Sequence, residues 1–201
     1  MKIGLYFGSF NPIHIGHLIL GNYIVDNSDL DQVWFVVSPH NPLKDKSSLL
    51  ADYHRLALVK EAIDDNESFR ASDIEFGLEQ PNYTVKTLQV LAEKYPQHEF
   101  SMIMGEDNLR TLHKWYNYEY LLENYKIFVY PRVLTIQELN EKKINDNQLQ
   151  NHPSIIFLKD APLMNISSSF IRNLIKSGKD IRYLMTEPVC KYIDEMGFYQ
   201  N

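Results

Sequence analysis

Cysteine is nearly absent from this chain: Cys190 stands alone among 201 residues. A single thiol cannot close an intrachain disulfide, so the expected setting is a reducing cytoplasm. Long apolar runs are missing as well. None approaches the ~18–20 residues of a membrane span, and the apolar stretch of Met1–Phe7 is too short for a secretory signal. Positive charge is in deficit, with 20 Lys and Arg against 26 Asp and Glu, a net charge of −6. Bulk attraction to nucleic acid or to an anionic membrane is therefore not expected. A local cluster of His, Lys and Arg can still overrule that average for a small anion.

What is present is ordinary for a globular chain: 44% apolar and 23% charged residues. The length fits one domain with a full core, and residues 1–201 are expected to form it, with a C-terminal helical part from about residue 167. Thirteen Tyr and ten Phe read mainly as core and boundary packing.

Strand and helix signals alternate. Apolar runs at 2–7, Gln32–Pro39, Phe100–Met104, Lys126–Tyr130 and Ile155–Leu158 read as short strands. Residues 17–26, Asp52–Ile63, Thr84–Tyr95, Ser168–Lys176 and Pro188–Met196 read as helices, the second and third with apolar residues near a 3.6 period. Strands hydrophobic on both faces suit a parallel sheet covered by helices, so a doubly wound α/β fold is expected. Ligands in such folds bind beyond the carboxyl ends of the strands, near the switch in strand order. The polar stretch 134–153 reads as an exposed helix followed by a mobile loop.

Two segments carry candidate chemistry. The first is Gly8-Ser9-Phe10-Asn11-Pro12-Ile13-His14-Ile15-Gly16-His17, between the first strand and the first helix. Gly8 and Ser9 permit close backbone approach to a ligand, and Asn11-Pro12 turns the chain. A helix starting near Gly16 offers unpaired N–H groups and the positive end of its dipole, and two imidazoles three residues apart can donate to phosphate oxygens. Zinc is a weaker reading, because the motif has no Glu and no evident third ligand. The second segment is Ile166-Ser167-Ser168-Ser169-Phe170-Ile171-Arg172, which opens a helix after the Ile155–Leu158 strand. A serine caps its first turn, other hydroxyls and amides are left for phosphate, and Phe170, Ile171, Leu174 and Ile175 are expected on the buried face. Together the segments could cradle a triphosphate between two helix N-termini.

The pair His14-Ile15-Gly16-His17 and Ser168-Ser169-Phe170-Ile171-Arg172 resembles the nucleotidyltransferase superfamily marked by His-x-Gly-His and Ser-Ser-x-x-Ile-Arg. Within it the chain is similar to bacterial nicotinate-nucleotide adenylyltransferases. Four further segments carry that similarity: Pro39–Lys44, Pro81–Leu88, Gly105–Trp115 and Tyr192–Tyr199. Asn11 stands where the family usually has Asp, Ser169 replaces the commoner Thr, and Asn41–Lys44 rearranges the usual segment.

The resemblance implies a Rossmann-like nucleotidyltransferase domain. It implies transfer of the adenylyl group of ATP to nicotinate mononucleotide, giving nicotinate adenine dinucleotide and pyrophosphate. Catalytic roles fall to His17, His14 and Arg172; ATP contacts to Gly8, Ser9, Phe10, His14, His17, Gly105, Asp107, Ser168, Ser169 and Arg172; and contacts to the second substrate to Lys44, Thr84, Trp115, Tyr116 and Arg132. Mg²⁺ is expected to arrive with ATP, without a dedicated protein cage. Self-association is left open. Arg55, on an amphipathic helix, reads as a solvated or structural charge. Phosphopantetheine adenylyltransferases are a rival, usually carrying Thr where His14 stands, and an enzyme for nicotinamide mononucleotide is another. A nucleotide-binding module without catalysis would lose His17 or Arg172, and both are present. Nothing specific supports a protein-binding scaffold.

Overall fold

β1, Lys2–Gly8, is buried on both sides over most of its length, because successive side chains point to opposite faces and both faces are covered. The computed structural model describes residues 1–39, 49–132 and 148–200. Five more strands join β1: β2 (Gln32–Val37), β3 (Phe69–Ser72), β4 (Glu99–Gly105), β5 (Ile127–Tyr130) and β6 (Ile155–Phe157). The sheet runs β3-β2-β1-β4-β5-β6 with every pair parallel. The strand order reverses at β1, which leads outward to β2 on one side and lies against β4 on the other. That switch point sits between the carboxyl ends at Gly8 and Gly105, where a parallel sheet opens a crevice.

Seven helices cover the sheet: α1 (Ile15–Asp26), α2 (Asp52–Ile63), α3 (Thr84–Lys94), α4 (Glu106–Thr111), α5 (Tyr118–Asn124), α6 (Ser168–Lys176) and α7 (Glu187–Met196), counted among the described residues. They divide into two layers. Val33, Phe35 and Val37 of β2 pack with Leu20 and Ile24 of α1, Leu58 and Ala62 of α2, Ile171 of α6 and Val189 and Ile193 of α7. Trp34 and Val36, on the opposite face, pack with Val85, Leu88 and Leu91 of α3, Leu109 of α4 and Leu121 of α5. The single period-2 strand thus feeds both cores, as the doubly wound reading requires.

The structure departs from the sequence reading in four places. β3 is an edge strand of four residues containing Arg70, and it lacks the apolar run that would announce it. Only pairing with β2 makes it a strand, and Arg70 covers the Trp34 ring at 4.3 Å. α4 and α5 are too short, at six and seven residues, to show a helical period. α1 starts at Ile15, two residues earlier than expected. Phe170 is 47% exposed, not buried, because α6 turns a narrower stripe inward through Ile171. The helix expected after Leu134 falls on 133–147, outside the described residues; Gln148–Asn151 forms a 3₁₀ turn. Among the described residues no helix is long and apolar enough to cross a membrane.

Candidate active site

A cavity of about 580 Å³ opens at the switch point. It is lined by Gly8, Ser9, Phe10, Asn11, His14 and His17 from the first motif and by Ser167, Ser168, Ser169 and Arg172 from the second. Tyr6, Tyr130 and Arg132 complete one wall. Its charged side chains are Arg132 and Arg172, and no carboxylate appears among the described lining residues. In a chain of net charge −6 this is a local reversal of sign, and it suits a polyanion.

The two motifs are joined directly. Ser168 Oγ donates to the Pro12 carbonyl at 2.8 Å, and Arg172 Nη1 donates to the Asn11 carbonyl at 2.9 Å. Arg172 Nη2 also donates to Ser169 Oγ at 3.1 Å. The cap of α6 is Ser167, whose Oγ accepts from the Phe170 N–H at 3.1 Å. Segments 156 to 161 residues apart thereby set the N-termini of α1 and α6 on one cavity. Neither helix has an acidic residue in its first turn, so each dipole presents its positive end undiminished.

The histidines differ in environment. His14 caps α1, is 5% exposed and has a pKa lowered to about 4 by burial, so its ring is neutral at pH 7. Its Nδ1 has no hydrogen-bond partner among the described residues. The His17 ring stacks on it at 3.7 Å, with edge contacts to Phe10 at 5.1 Å and Tyr6 at 5.9 Å. The His14 backbone N–H donates to His17 Nδ1 at 3.2 Å. With Nδ1 accepting, the neutral His17 ring carries its proton on Nε2, and the ring is held as a donor.

On the other side of the switch point, Gly105 ends β4 and Asp107 lies in the first turn of α4. Arg132 pairs with Asp107 Oδ2, while the buried Oδ1 has no partner among the described residues. A side chain at residue 105 would collide with that Oδ1 and come within 2.9 Å of Arg132 Cδ, so any substitution there displaces the Asp107 and Arg132 side chains. Tyr6 and Tyr130 share a hydrogen bond of 3.1 Å across the wall, and burial raises both phenol pKa values.

Gly105, Asp107, Thr84, Trp115 and Tyr116 are not among the described residues lining this cavity, although Asp107 reaches it through its pairing with Arg132. Thr84 starts α3, and the half-buried Trp115 packs against the core layer formed by α3, α4 and α5. Tyr116 is 58% exposed and its ring meets Tyr83 at 4.7 Å. Lys44 lies outside the described residues.

The sequence leaves Arg55 open between a solvated and a structural charge, and the structure makes it a densely connected side chain beside the site. Arg55 is 0% exposed, and it is structural rather than solvated. It donates to Leu50 O at 3.0 Å, Ser9 O at 2.6 Å, Ser38 O at 2.8 Å and Pro39 O at 2.9 Å, and pairs with Asp52 at 2.6 Å. It ties the turn after β1 to the turn after β2. The signal was present: Arg55 falls in the i, i+3, i+4, i+7 stripe with Leu58, Val59 and Ala62. The sequence marks Asn11 as a turn residue, yet it is 3% exposed and bonded on three sides.

The chain matches the cytidylyltransferase-like family over residues 5–174. It is 58% identical over 201 residues to a probable nicotinate-nucleotide adenylyltransferase of Flavobacterium psychrophilum, covering 100% of both chains. A protein of the same description from Bacteroides fragilis is 44% identical, over 96% of this chain and 90% of that one. Among solved structures, the Plasmodium falciparum nicotinic acid mononucleotide adenylyltransferase complexed with NaAD superposes with a TM-score of 0.76 at 21% identity, over 98% of this chain and 97% of that one. That structural likeness speaks to the fold, and the sequence identities to the family. With both motifs meeting in one cavity at the switch point, the chain belongs to the nicotinate-nucleotide adenylyltransferase family.

Proposed function

We propose that this chain transfers the adenylyl group of ATP to nicotinate mononucleotide, forming nicotinate adenine dinucleotide and releasing pyrophosphate. The observation that carries this reading is the cavity where two helix N-termini, His17 and Arg172 converge, with no carboxylate among its described lining residues. The relatives' names supply the second substrate.

In the reaction a phosphate oxygen of nicotinate mononucleotide attacks the α-phosphorus of ATP. The bond from that phosphorus to the oxygen bridging to the β-phosphate breaks, and pyrophosphate leaves with the electron pair. The nucleophile is already anionic near neutral pH, so alignment and charge stabilisation do the work. His17 donates from Nε2 to a non-bridging α-phosphate oxygen. Neutral His14 lies against the same phosphates without the cost of burying a second positive charge. Arg172 and the first turn of α6 take the β- and γ-phosphates, and Arg172 stabilises the departing pyrophosphate. Ser169 orients the guanidinium through its hydroxyl. The Ser168 hydroxyl is engaged with Pro12, so this residue acts by joining the motifs. Gly8, Ser9 and Phe10 bring the backbone to the nucleotide.

Asp107 Oδ1 and Gly105 suit the ribose side of ATP, where a hydroxyl would donate to the buried carboxylate oxygen. Arg132, ion-paired with Asp107, meets phosphate charge between the two substrates in this reading. Amides near Thr84 and Tyr116, with the Trp115 ring, form the site for the nicotinate ring and its carboxylate; a site built for a carboxylate penalises the neutral amide. Mg²⁺ enters as part of the Mg-ATP substrate, held by phosphate oxygens and water.

The test is pyrophosphate release from Mg-ATP with nicotinate mononucleotide, nicotinamide mononucleotide or phosphopantetheine as acceptor. Strong preference for the first, with a dinucleotide product, is expected. Preference for another acceptor overturns the substrate assignment, and no release with any of them overturns the catalytic reading.

A further inference from the structure

The last residues of the chain return to the first motif. After α7, Gly197 adopts a left-handed conformation with φ of 64°, and Tyr199 has φ of 63°. This hook turns the Tyr199 ring inward, where burial raises its phenol pKa far above the ordinary value. Its hydroxyl donates to Asn11 Oδ1 at 2.8 Å, across 188 residues of sequence. The Leu50 N–H donates to the same oxygen at 3.2 Å. Asn11 Oδ1 therefore receives one donor from the C-terminus and one from the segment leading into α2, while the Asn11 carbonyl receives Arg172 at 2.9 Å.

Asn11 sits in a loop that does not hold itself. Phe10, just before it, has φ of 44°, a left-handed conformation that an aromatic residue adopts only when its surroundings impose it. Arg55 fixes the near side of this turn through the Ser9 carbonyl. The far side is held at the Asn11 side chain by Tyr199 and Leu50, and at the Asn11 and Pro12 carbonyls by Arg172 and Ser168. Displacing Asn11 moves the carbonyl that orients Arg172 and the residues leading to His14.

We propose that Tyr199 is a positioning residue for adenylyl transfer, acting through Asn11 to hold the His14–His17 loop and the Arg172 guanidinium in register. Tyr199 is not among the described residues lining the cavity. The hook at residues 197–199 is then part of the active-site scaffold. This rests on the adenylyl-transfer reading above.

Tyr199→Phe removes the hydroxyl and keeps the ring. Tyr192→Phe is the control: Tyr192 OH and His54 Nδ1 share a hydrogen bond of 3.0 Å in the same packing of α7 on α2, away from Asn11. Wild type and both variants are assayed for pyrophosphate release with Mg-ATP and nicotinate mononucleotide, each at least 15 °C below the lowest of their three melting temperatures, so that a destabilised variant is still compared folded. Tyr199→Phe is expected to lower kcat about tenfold, on the scale of a small misalignment of reacting groups, with KM for nicotinate mononucleotide within about twofold. Tyr192→Phe is expected to lose a similar few degrees of melting temperature and to keep its kcat. The role is overturned by a wild-type kcat in Tyr199→Phe, or by an equal loss of kcat in Tyr192→Phe. A wild-type chain that releases no pyrophosphate overturns the functional reading itself, and this role with it.

Discussion

The lowered pKa of His14 makes a prediction that pH can test. Burial holds the folded-state value at about 4 against an ordinary 6.5, and no acidic side chain appears among the described residues lining the cavity to offset it. Between those values the unfolded chain binds a proton that the folded chain refuses. The stability contributed by neutral His14 is therefore complete above pH 6.5 and declines as pH falls towards 4. At pH 5 the loss is about 2 kcal/mol, approaching about 3 kcal/mol once both states are protonated. Urea unfolding at pH 7.5 and pH 5 measures it, with His14→Asn as the comparison, since Asn keeps a polar group but does not titrate. The variant is expected to lose about 2 kcal/mol less than the wild type between the two pH values. A triphosphate beside the ring opposes the effect of burial. The wild type should then bind more protons on taking up ATP at pH 5.5 than His14→Asn does, a difference seen by calorimetry in buffers of different ionisation enthalpy. Parallel stability losses in the two proteins, or an NMR titration of His14 near 6.5 in the free protein, would refute the reasoning.

His17→Ala removes the oriented Nε2 donor and is expected to lower kcat by roughly 10²–10³-fold, the scale for one oxyanion donor; steady-state pyrophosphate release measures it, and an unchanged turnover number rejects the role. Gly105→Ala places a methyl group against Asp107 Oδ1 and Arg132. KM for ATP should rise about tenfold, the effect of one lost hydrogen bond to a charged group, while the melting temperature moves by only a few degrees.

Much of the architecture was legible in the chain because it rests on local pattern. Val33–Val37 announces a buried strand by its continuous apolar run, and Asp52–Ile63 announces a helix by its period. The phosphate-facing segments were legible for a related reason. A strand, a tight turn and a helix start must follow one another in sequence to place N–H groups and imidazoles together, so His14 and His17 carry their context with them. Ser167–Arg172 is likewise a helix start readable in place. Arg55 lies in a periodic stripe, but a charge normally marks the solvent side, so the sequence leaves it open between a solvated and a structural role.

Other features had no local signal. Phe69–Ser72 becomes a strand only against β2, and the short α4 and α5 gain most of their stability from Leu109, Leu121 and Leu122 in the core. By itself, the sequence determined the alternating fold, the family and the two motifs. Tertiary structure alone decided that Asn11 is the junction of Tyr199, Leu50 and Arg172, that His14 is buried and neutral, and that Arg132 meets Asp107. The reason is separation along the chain. A hydrogen bond spanning 188 residues imposes no periodicity on its neighbours, and the burial that shifts a pKa is a property of everything packed around the group.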